Sequence, residues 1–256
     1  MKTVEESVIA AMDGTEVELF PFLPYILQDV WEIGTVPDVV LGLVRRNAQD
    51  PEHLTVLDLG CGKGAVSIRL AEQLGCTCVG VDAIREFIAE AGKKARDYQV
   101  GKLCLFEIGD IRQRIATLPR FDIIILGAIG PVFGDHYETL VTLSGNLAEN
   151  GLIIIDDAYI PEESDFSHPV IRTRSEVYRQ ISDAGMTVAE EIILHAADMK
   201  ETDAILFGHL QKRCRELIAL HPAKRQMFEE YIQAQERENY VLETKVICST
   251  MAIRRS

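Results

Sequence analysis

Long apolar runs are missing from this chain. The longest stretch without a charged residue lies between Asp122 and Asp135, twelve residues, against the ~18 or more that a membrane-crossing helix needs. The start, Met-Lys-Thr-Val-Glu-Glu, has no apolar stretch of the kind a secretion signal carries, so a cytoplasmic protein without a membrane partner is expected. Basic charge is scarce: 26 Lys and Arg stand against 40 Asp and Glu, a net charge of -14. That excludes a nucleic-acid backbone as the obvious partner, because phosphates attract basic faces. Paired metal-type cysteines are lacking too. The six, at positions 61, 76, 78, 104, 214 and 248, contain no C-x-x-C, and no histidine pair completes a zinc site. Buried reduced thiols and no metal are expected. Repeats and low-complexity linkers are absent.

What is present is a globular composition. Hydrophobic residues make up 47% of 256 residues, enough for one large core or one domain with a substantial insertion. The middle of the chain alternates strand-like and helix-like segments, the signature of a parallel α/β sheet. Strands are expected at Leu54–Leu59, Thr77–Val81, Leu103–Ile108, Ile123–Leu126, Leu152–Ile155 and Thr187–Leu194. Helices are expected at Ala65–Leu74, Ile84–Tyr98, Asp135–Glu149 and Ser175–Ala184, the third stopping at Asn150-Gly151. Residues 1–50 form a helical N-terminal cap in pieces broken by Pro21, Pro24 and Pro37. Residues 51–256 form the main domain. Residues 199–238 are two amphipathic helices punctuated by His221-Pro222, a lid inserted before a last strand over Tyr240–Ile253.

The informative stretch is Asp58-Leu59-Gly60-Cys61-Gly62-Lys63-Gly64-Ala65. In a strand–turn–helix context, glycines let the backbone turn tightly and approach a ligand. The loop also fits Gly-x-Gly-x-x-Ala, so a dinucleotide site such as NAD is the rival. Asp58, two residues before the first glycine, would repel a pyrophosphate and suit a cationic group. Acids recur at the next two strand ends, Asp82 and Asp110. Asp82 can accept both hydroxyls of a ribose, and Asp110 can accept the amino group of an adenine. The set describes an adenosine-plus-amino-acid ligand better than NAD.

These residues resemble the class I S-adenosylmethionine-dependent methyltransferases. The likeness covers Leu54 to about Leu194 and the final strand. It rests on the glycine motif, Asp82, Gly109-Asp110, Phe121-Asp122-Ile123-Ile124-Ile125 and Gly151-Leu152-Ile153-Ile154-Ile155-Asp156-Asp157. It implies a doubly wound, Rossmann-like, seven-stranded, mostly parallel sheet with the last strand antiparallel. It implies S-adenosylmethionine as cofactor. By position, Gly60, Cys61, Gly62 and Gly64 would line its methionine part with Asp58 nearby. Asp82 would take the ribose, Ala83 and Ile84 would flank the adenine from one side, and Asp110 and Ile111 would meet it from the other. Leu126 and Gly127 would lie near the sulfonium. Cap and lid resemble the small-molecule members, so a small-molecule acceptor is the expected partner, with a homodimer left open. The Asn/Asp-Pro-Pro-aromatic signature of the base methyltransferases is replaced by Leu126-Gly127-Ala128-Ile129-Gly130-Pro131.

Methyl transfer is an in-line displacement that needs mostly alignment and exclusion of water. Acceptor-side candidates are Asp157, as acceptor binder or turn cap, and Tyr159, in the cleft or packed in a loop. His195, after the sixth strand, is the candidate base. Trp31, the only tryptophan, either walls the pocket or anchors the cap. Lys63 reads as a solvated loop residue. The run Lys212-Arg213-Cys214-Arg215-Glu216 reads as a solvated helix face or, if it lines the pocket, as a sign of an anionic acceptor. A binding protein without catalysis keeps the same cofactor site and stays open beside the dehydrogenase reading.

Overall fold

A computed structural model of the chain describes residues 2–256, apart from the side chain of Asp198. Seven strands among these residues form one sheet: β1 Thr55–Leu59, β2 Thr77–Asp82, β3 Cys104–Ile108, β4 Phe121–Gly127, β5 Leu147–Tyr159, β6 Met186–Ile193 and β7 Ile247–Arg255. Their order is β3-β2-β1-β4-β5-β7-β6. β1 to β5 pair in parallel, while β7 runs antiparallel to both β5 and β6. The chain reverses direction across the sheet between β1 and β4. That switch point is where open α/β sheets take their ligands, at the carboxyl ends of the strands.

Among the described residues, ten helices surround the sheet: α1 Val4–Ala11, α2 Leu23–Ile26, α3 Pro37–Asn47, α4 Ala65–Leu74, α5 Arg85–Asp97, α6 Ile111–Arg114, α7 His136–Ser144, α8 Arg174–Asp183, α9 Ala196–Leu220 and α10 Arg225–Thr244. Strand alternation divides the sheet's side chains between two cores. Leu57, Leu59, Ile124, Leu126, Ile153 and Ile155 pack with α7 and α8. Val56, Ile123, Ile125 and Ile154 pack with α3 and α4. A third core joins the cap to the lid: Leu23, Ile26 and Leu27 meet Leu210, Cys214, Leu217 and Phe228 above Ile84 and Phe87 of the β2 end. The cap breaks where its prolines stand. Pro21 lies in a 3-10 stretch, and Pro24 and Pro37 open α2 and α3, where a missing N–H costs nothing.

Two boundaries differ from the sequence reading. The helix expected to reach Glu149 ends at Ser144, and Leu147 already pairs with Phe121 at the foot of β5. Pairing then skips to Ile123 with Leu152, so Asn150-Gly151 marks a bulge, not a helix stop. A Cβ on Gly151 would sit 2.7 Å from Leu147 and 2.8 Å from the Asp122 carbonyl. The last strand starts at Ile247, not Tyr240, because α10 continues through Thr244. The β-type residues Tyr240, Val241 and Thr244 remain helical, a case of context overriding propensity.

Candidate functional site

The glycine loop leaves β1 and enters α4 with Gly60, Gly62 and Gly64 all in the left-handed region, at φ 74°, 52° and 73°. Two of them are hemmed in. A Cβ on Gly60 would lie 2.6 Å from Ile129, and one on Gly64 2.7 Å from Phe106. Gly62 is open, with only Ile33 at 3.9 Å, so its α-carbon faces the small cavity in front of the loop. Trp31, Ile33, Thr35, Asp58, Lys63 and Gly127 share that cavity with the loop.

The loop's N–H groups are largely committed. Gly60 and Cys61 donate to the Val81 carbonyl at 2.8 and 3.2 Å, and Gly64 to the Cys61 carbonyl at 2.8 Å. Gly62 donates to the Asp82 carboxylate at 2.9 Å. A phosphate-binding loop leaves such donors free for its ligand; this one spends them on its own shape and on Asp82. The other Asp82 oxygen accepts from Ile84 N at 2.8 Å. Burial raises the Asp82 carboxyl, and the N–H groups of Ile84, Gly62 and Ala83 oppose the rise. Each oxygen keeps acceptor capacity for a further donor.

Asp58 is buried, at 3% exposure, and accepts from Ser67 Oγ at 2.6 Å. Burial pushes its carboxyl up to about 6, with Asp82 adding to the rise and Ser67 opposing it. A buried acid with one hydroxyl partner suits a cationic ligand group. Cys61 turns its sulfur back under β2, since a Cβ on Gly80 would meet it at 2.8 Å. Burial, then Asp58 and Asp82, push its thiol up, so it is no nucleophile.

The remaining cofactor candidates divide. Gly127 reaches the cavity, and a Cβ there would strike Thr35 Oγ1 at 2.4 Å. Leu126 and Ile111 face the core on the other side of the sheet. Ile84 is buried between cap and lid, and Ala83 is half-buried beside it. Asp110 caps α6 and holds the Arg112 guanidinium through contacts of 2.8 to 3.1 Å. Arg112 keeps its carboxyl below the usual range and reaches Ser7 and the Lys2 carbonyl of the cap. An adenine amino group would therefore share Asp110 with a guanidinium.

Trp31 lines the glycine-loop cavity and ties the cap to the loop. Its Nε1 donates to the Lys63 carbonyl at 3.1 Å, and its ring lies 5.2 Å from Tyr98 and 4.5 Å from the Lys94 ammonium. Lys63 is not solvated. It is 2% exposed, donates to the Leu27 carbonyl at 2.8 Å and pairs with Glu90 at 2.9 Å. One lysine thus ties the glycine loop to the cap and to α5. No local sequence signal marks it, because Leu27 and Glu90 are remote in the chain. Arg213 is likewise a tie between lid and cap: it grips Asp29 at 2.7 and 2.8 Å and Glu216 at 2.8 Å, while Arg215 of the same run lines an open cavity between the lid helices with Arg225 and Glu229.

The acceptor-side candidates do not converge. Tyr159 is 1% exposed in the α8-side core, beside Glu191 and Arg174. It lies within β5, not in a loop after it. Asp157 faces the same side and meets His136 at 3.3 Å. His195 is the exposed residue before α9, at the end of the outermost strand, three strands from β4. Interstrand spacing of about 4.8 Å puts that strand roughly 14 Å from β4. The neighbour of Asp157 was the overlooked group. Asp156 pairs with Gly127 across β4 and with Thr250 across β7, and its carboxyl lies beside the Thr35 and Thr250 hydroxyls. Strand parity is the signal that could have found it, since alternate residues of β5 share the face of Ile154.

Known proteins agree with this architecture. Residues 50–239 match the family described as "Methyltransferase domain". A 2-heptyl-1-hydroxyquinolin-4(1H)-one methyltransferase of Mycobacteroides abscessus is 30% identical over 145 residues, 55% of this chain and 62% of the relative; the match thus spans under two thirds of that protein. A methyltransferase from Thiobacillus denitrificans, solved with S-adenosyl-L-homocysteine, superposes with a TM-score of 0.73 at 18% identity over 92% of this chain and 98% of its own. The cyclopropane synthase MmaA2 of Mycobacterium tuberculosis gives 0.73 at 15% identity over 99% of both chains. The two structures share the fold, and the family match covers most of the sequence: this chain belongs to the methyltransferase domain family.

Proposed function

We propose that the chain transfers a methyl group from S-adenosylmethionine to a small-molecule acceptor. The observation that carries the reading is the glycine loop, with Gly62 open to the cavity, Asp58 lining it and Asp82 held to the loop through the Gly62 N–H. When bound, the cofactor supplies a methyl group on a positively charged sulfur, open to in-line attack. The chain's part is placement. Asp58 offers a buried carboxylate to the ammonium group of the methionine portion, and Asp82 offers its remaining lone pairs to the ribose hydroxyls. Thr35 and Gly127 wall the far side, where the acceptor must approach. The cap and lid, joined by the Leu23–Phe228 core and the Arg213–Asp29 pair, exclude water from that approach.

The committed loop donors and buried Asp58 argue against NAD. The six cysteines are all free thiols, which supports a reducing compartment, the cytoplasm. No described helix is long and apolar enough to cross a membrane. Calorimetric titration with S-adenosylhomocysteine, with NADH as control, tests the cofactor: micromolar binding of the first and none of the second is expected. Binding of NADH alone overturns the reading. Turnover of S-adenosylmethionine with an acceptor distinguishes an enzyme from a non-catalytic binder.

A further inference from the structure

We infer that Asp156 is the centre of an acceptor site for a small amine, held as its ammonium between the end of β5 and the lid. The inference rests on the methyl-transfer reading above and names its acceptor class. Asp156 and Asp157 are adjacent in a strand, so they face opposite sides of the sheet. Asp157 turns to His136. Asp156 turns to Thr35, which lines the glycine-loop cavity, and sits one strand from Gly127. From β1 it is two strands away, roughly 10 Å. It therefore lies beyond the cofactor loop yet shares a wall with it.

Two observations point to a missing cation. The first is a set of buried hydroxyls without partners. Thr35 and Thr250 are 4% and 1% exposed, and neither hydroxyl completes a hydrogen bond of good geometry. Both lie beside the Asp156 carboxyl and moderate the rise that burial imposes on it, to about 6. The second is the sign of the surroundings. The nearby Cys248 thiol is pushed up by burial and by Asp156, Asp203, Asp157 and Glu238. Asp203, on α9, keeps one buried carboxyl oxygen without a partner and is raised by burial and by Glu243. No basic side chain among the described residues acts on Asp156 or Asp203.

Buried carboxylates without counter-charge are costly, and a bound cation removes the cost. An ammonium carries three donors, which match one carboxylate and two hydroxyl oxygens. An anionic acceptor would meet repulsion from every side of this compartment. The carboxylate also frees the nucleophile: it takes one proton from the ammonium, giving a neutral carboxylic acid and an amine whose lone pair is available.

The test is calorimetry on the full chain saturated with S-adenosylhomocysteine. The probes are benzylamine and phenethylamine, with benzyl alcohol and benzoate as neutral and anionic counterparts. Amines are expected to bind at least ten-fold more tightly than the alcohol. Asp156→Asn should erase that preference, and Asp157→Asn, on the other face, should retain it. Titration of each variant with S-adenosylhomocysteine shows that the variant is folded. Equal binding of amine and alcohol, tighter binding of benzoate or of 2-heptyl-1-hydroxyquinolin-4(1H)-one, or no amine binding at all overturns the amine site. Failure of the unmodified chain to bind S-adenosylhomocysteine removes the methyl-transfer reading instead, a separate outcome.

Discussion

The carboxyl edge of the sheet has two halves that treat acids in opposite ways. Over β1, β2 and β3 every carboxylate has protein partners: Asp58 has Ser67, Asp82 has the Gly62 and Ile84 N–H groups, and Asp110 has Arg112. Over β5 and β7 Asp156 leans on two misaligned hydroxyls, and Asp203 faces another acid. The first half is shaped before any ligand arrives, which lowers the ordering cost of binding. The second half is left electrostatically open and is completed by what binds there. A cofactor common to a whole family suits the first arrangement, and an acceptor particular to one chain suits the second.

The comparison breaks most visibly at Gly62. Its φ of 52° disfavours any side chain, and its open side is the cavity itself. Gly62→Val should weaken S-adenosylhomocysteine binding more than 100-fold by calorimetry; near-normal affinity in a folded variant would mean that the ligand sits elsewhere. Asp82→Ala removes both the loop clamp and the ribose acceptor. A loss of about 2 kcal/mol is expected for charged hydrogen bonds, roughly 30-fold in Kd.

Lys63→Met probes the tie between the prepared half and the cap. Loss of its bond to the Leu27 carbonyl should cost about 1–2 kcal/mol and lower Tm by a few degrees. Limited proteolysis should then cut the cap earlier than in the parent. An unchanged cleavage rate would show that the cap is held by its apolar core alone.

Three acids, Asp58 buried and Asp13 and Asp156 half-buried, give the smallest but most diagnostic effect. The carboxyls of Asp13, Asp58 and Asp156 all stand near 6, raised first by burial. Such groups bind protons more strongly folded than unfolded, so stability falls as pH rises from about 4 to about 6, then levels off. Tm measured by calorimetry should therefore be higher at pH 5 than at pH 7.5. Asp13→Asn should flatten part of that slope and raise Tm slightly at neutral pH. It removes the repulsion from Glu238 while an amide oxygen can still accept from Gln235, now at 2.9 Å from Asp13. An asparagine also tolerates the left-handed φ of 59° at this position. A Tm that climbs steadily from pH 5 to 7.5 would contradict these assignments.

Much of the prepared half was legible in the sequence. Glycine spacing, the acids at Asp58 and Asp82, and the alternation of strands and helices are local patterns, and local patterns survive folding. The rest depends on long-range geometry. Lys63 is buried because Leu27 and Glu90, far from it in the chain, close over it. Tyr159 was expected in the cleft or packed in a loop, but β5 extends as far as Tyr159 and buries it. His195 follows a β-strand as expected, yet the antiparallel β7 inserts between β5 and β6 and moves that strand to the sheet's edge. Asp110 ends its strand at the expected place, but its partner Arg112 reaches a cap whose position the motif does not encode.

The bulge at Asn150-Gly151 acts at a distance from where it sits. It sets the phase of β5, and phase in a strand is binary. With the bulge as it is, Asp156 shares a face with the cap and Asp157 shares one with α7. One residue more or fewer in that kink would exchange the two carboxylates and leave every neighbouring strand in place. Because both positions are aspartates, an acid stays on the cap face whichever phase the strand adopts. The doubled acid thus makes the charge beneath the lid tolerant of a one-residue slip in the strand that carries it.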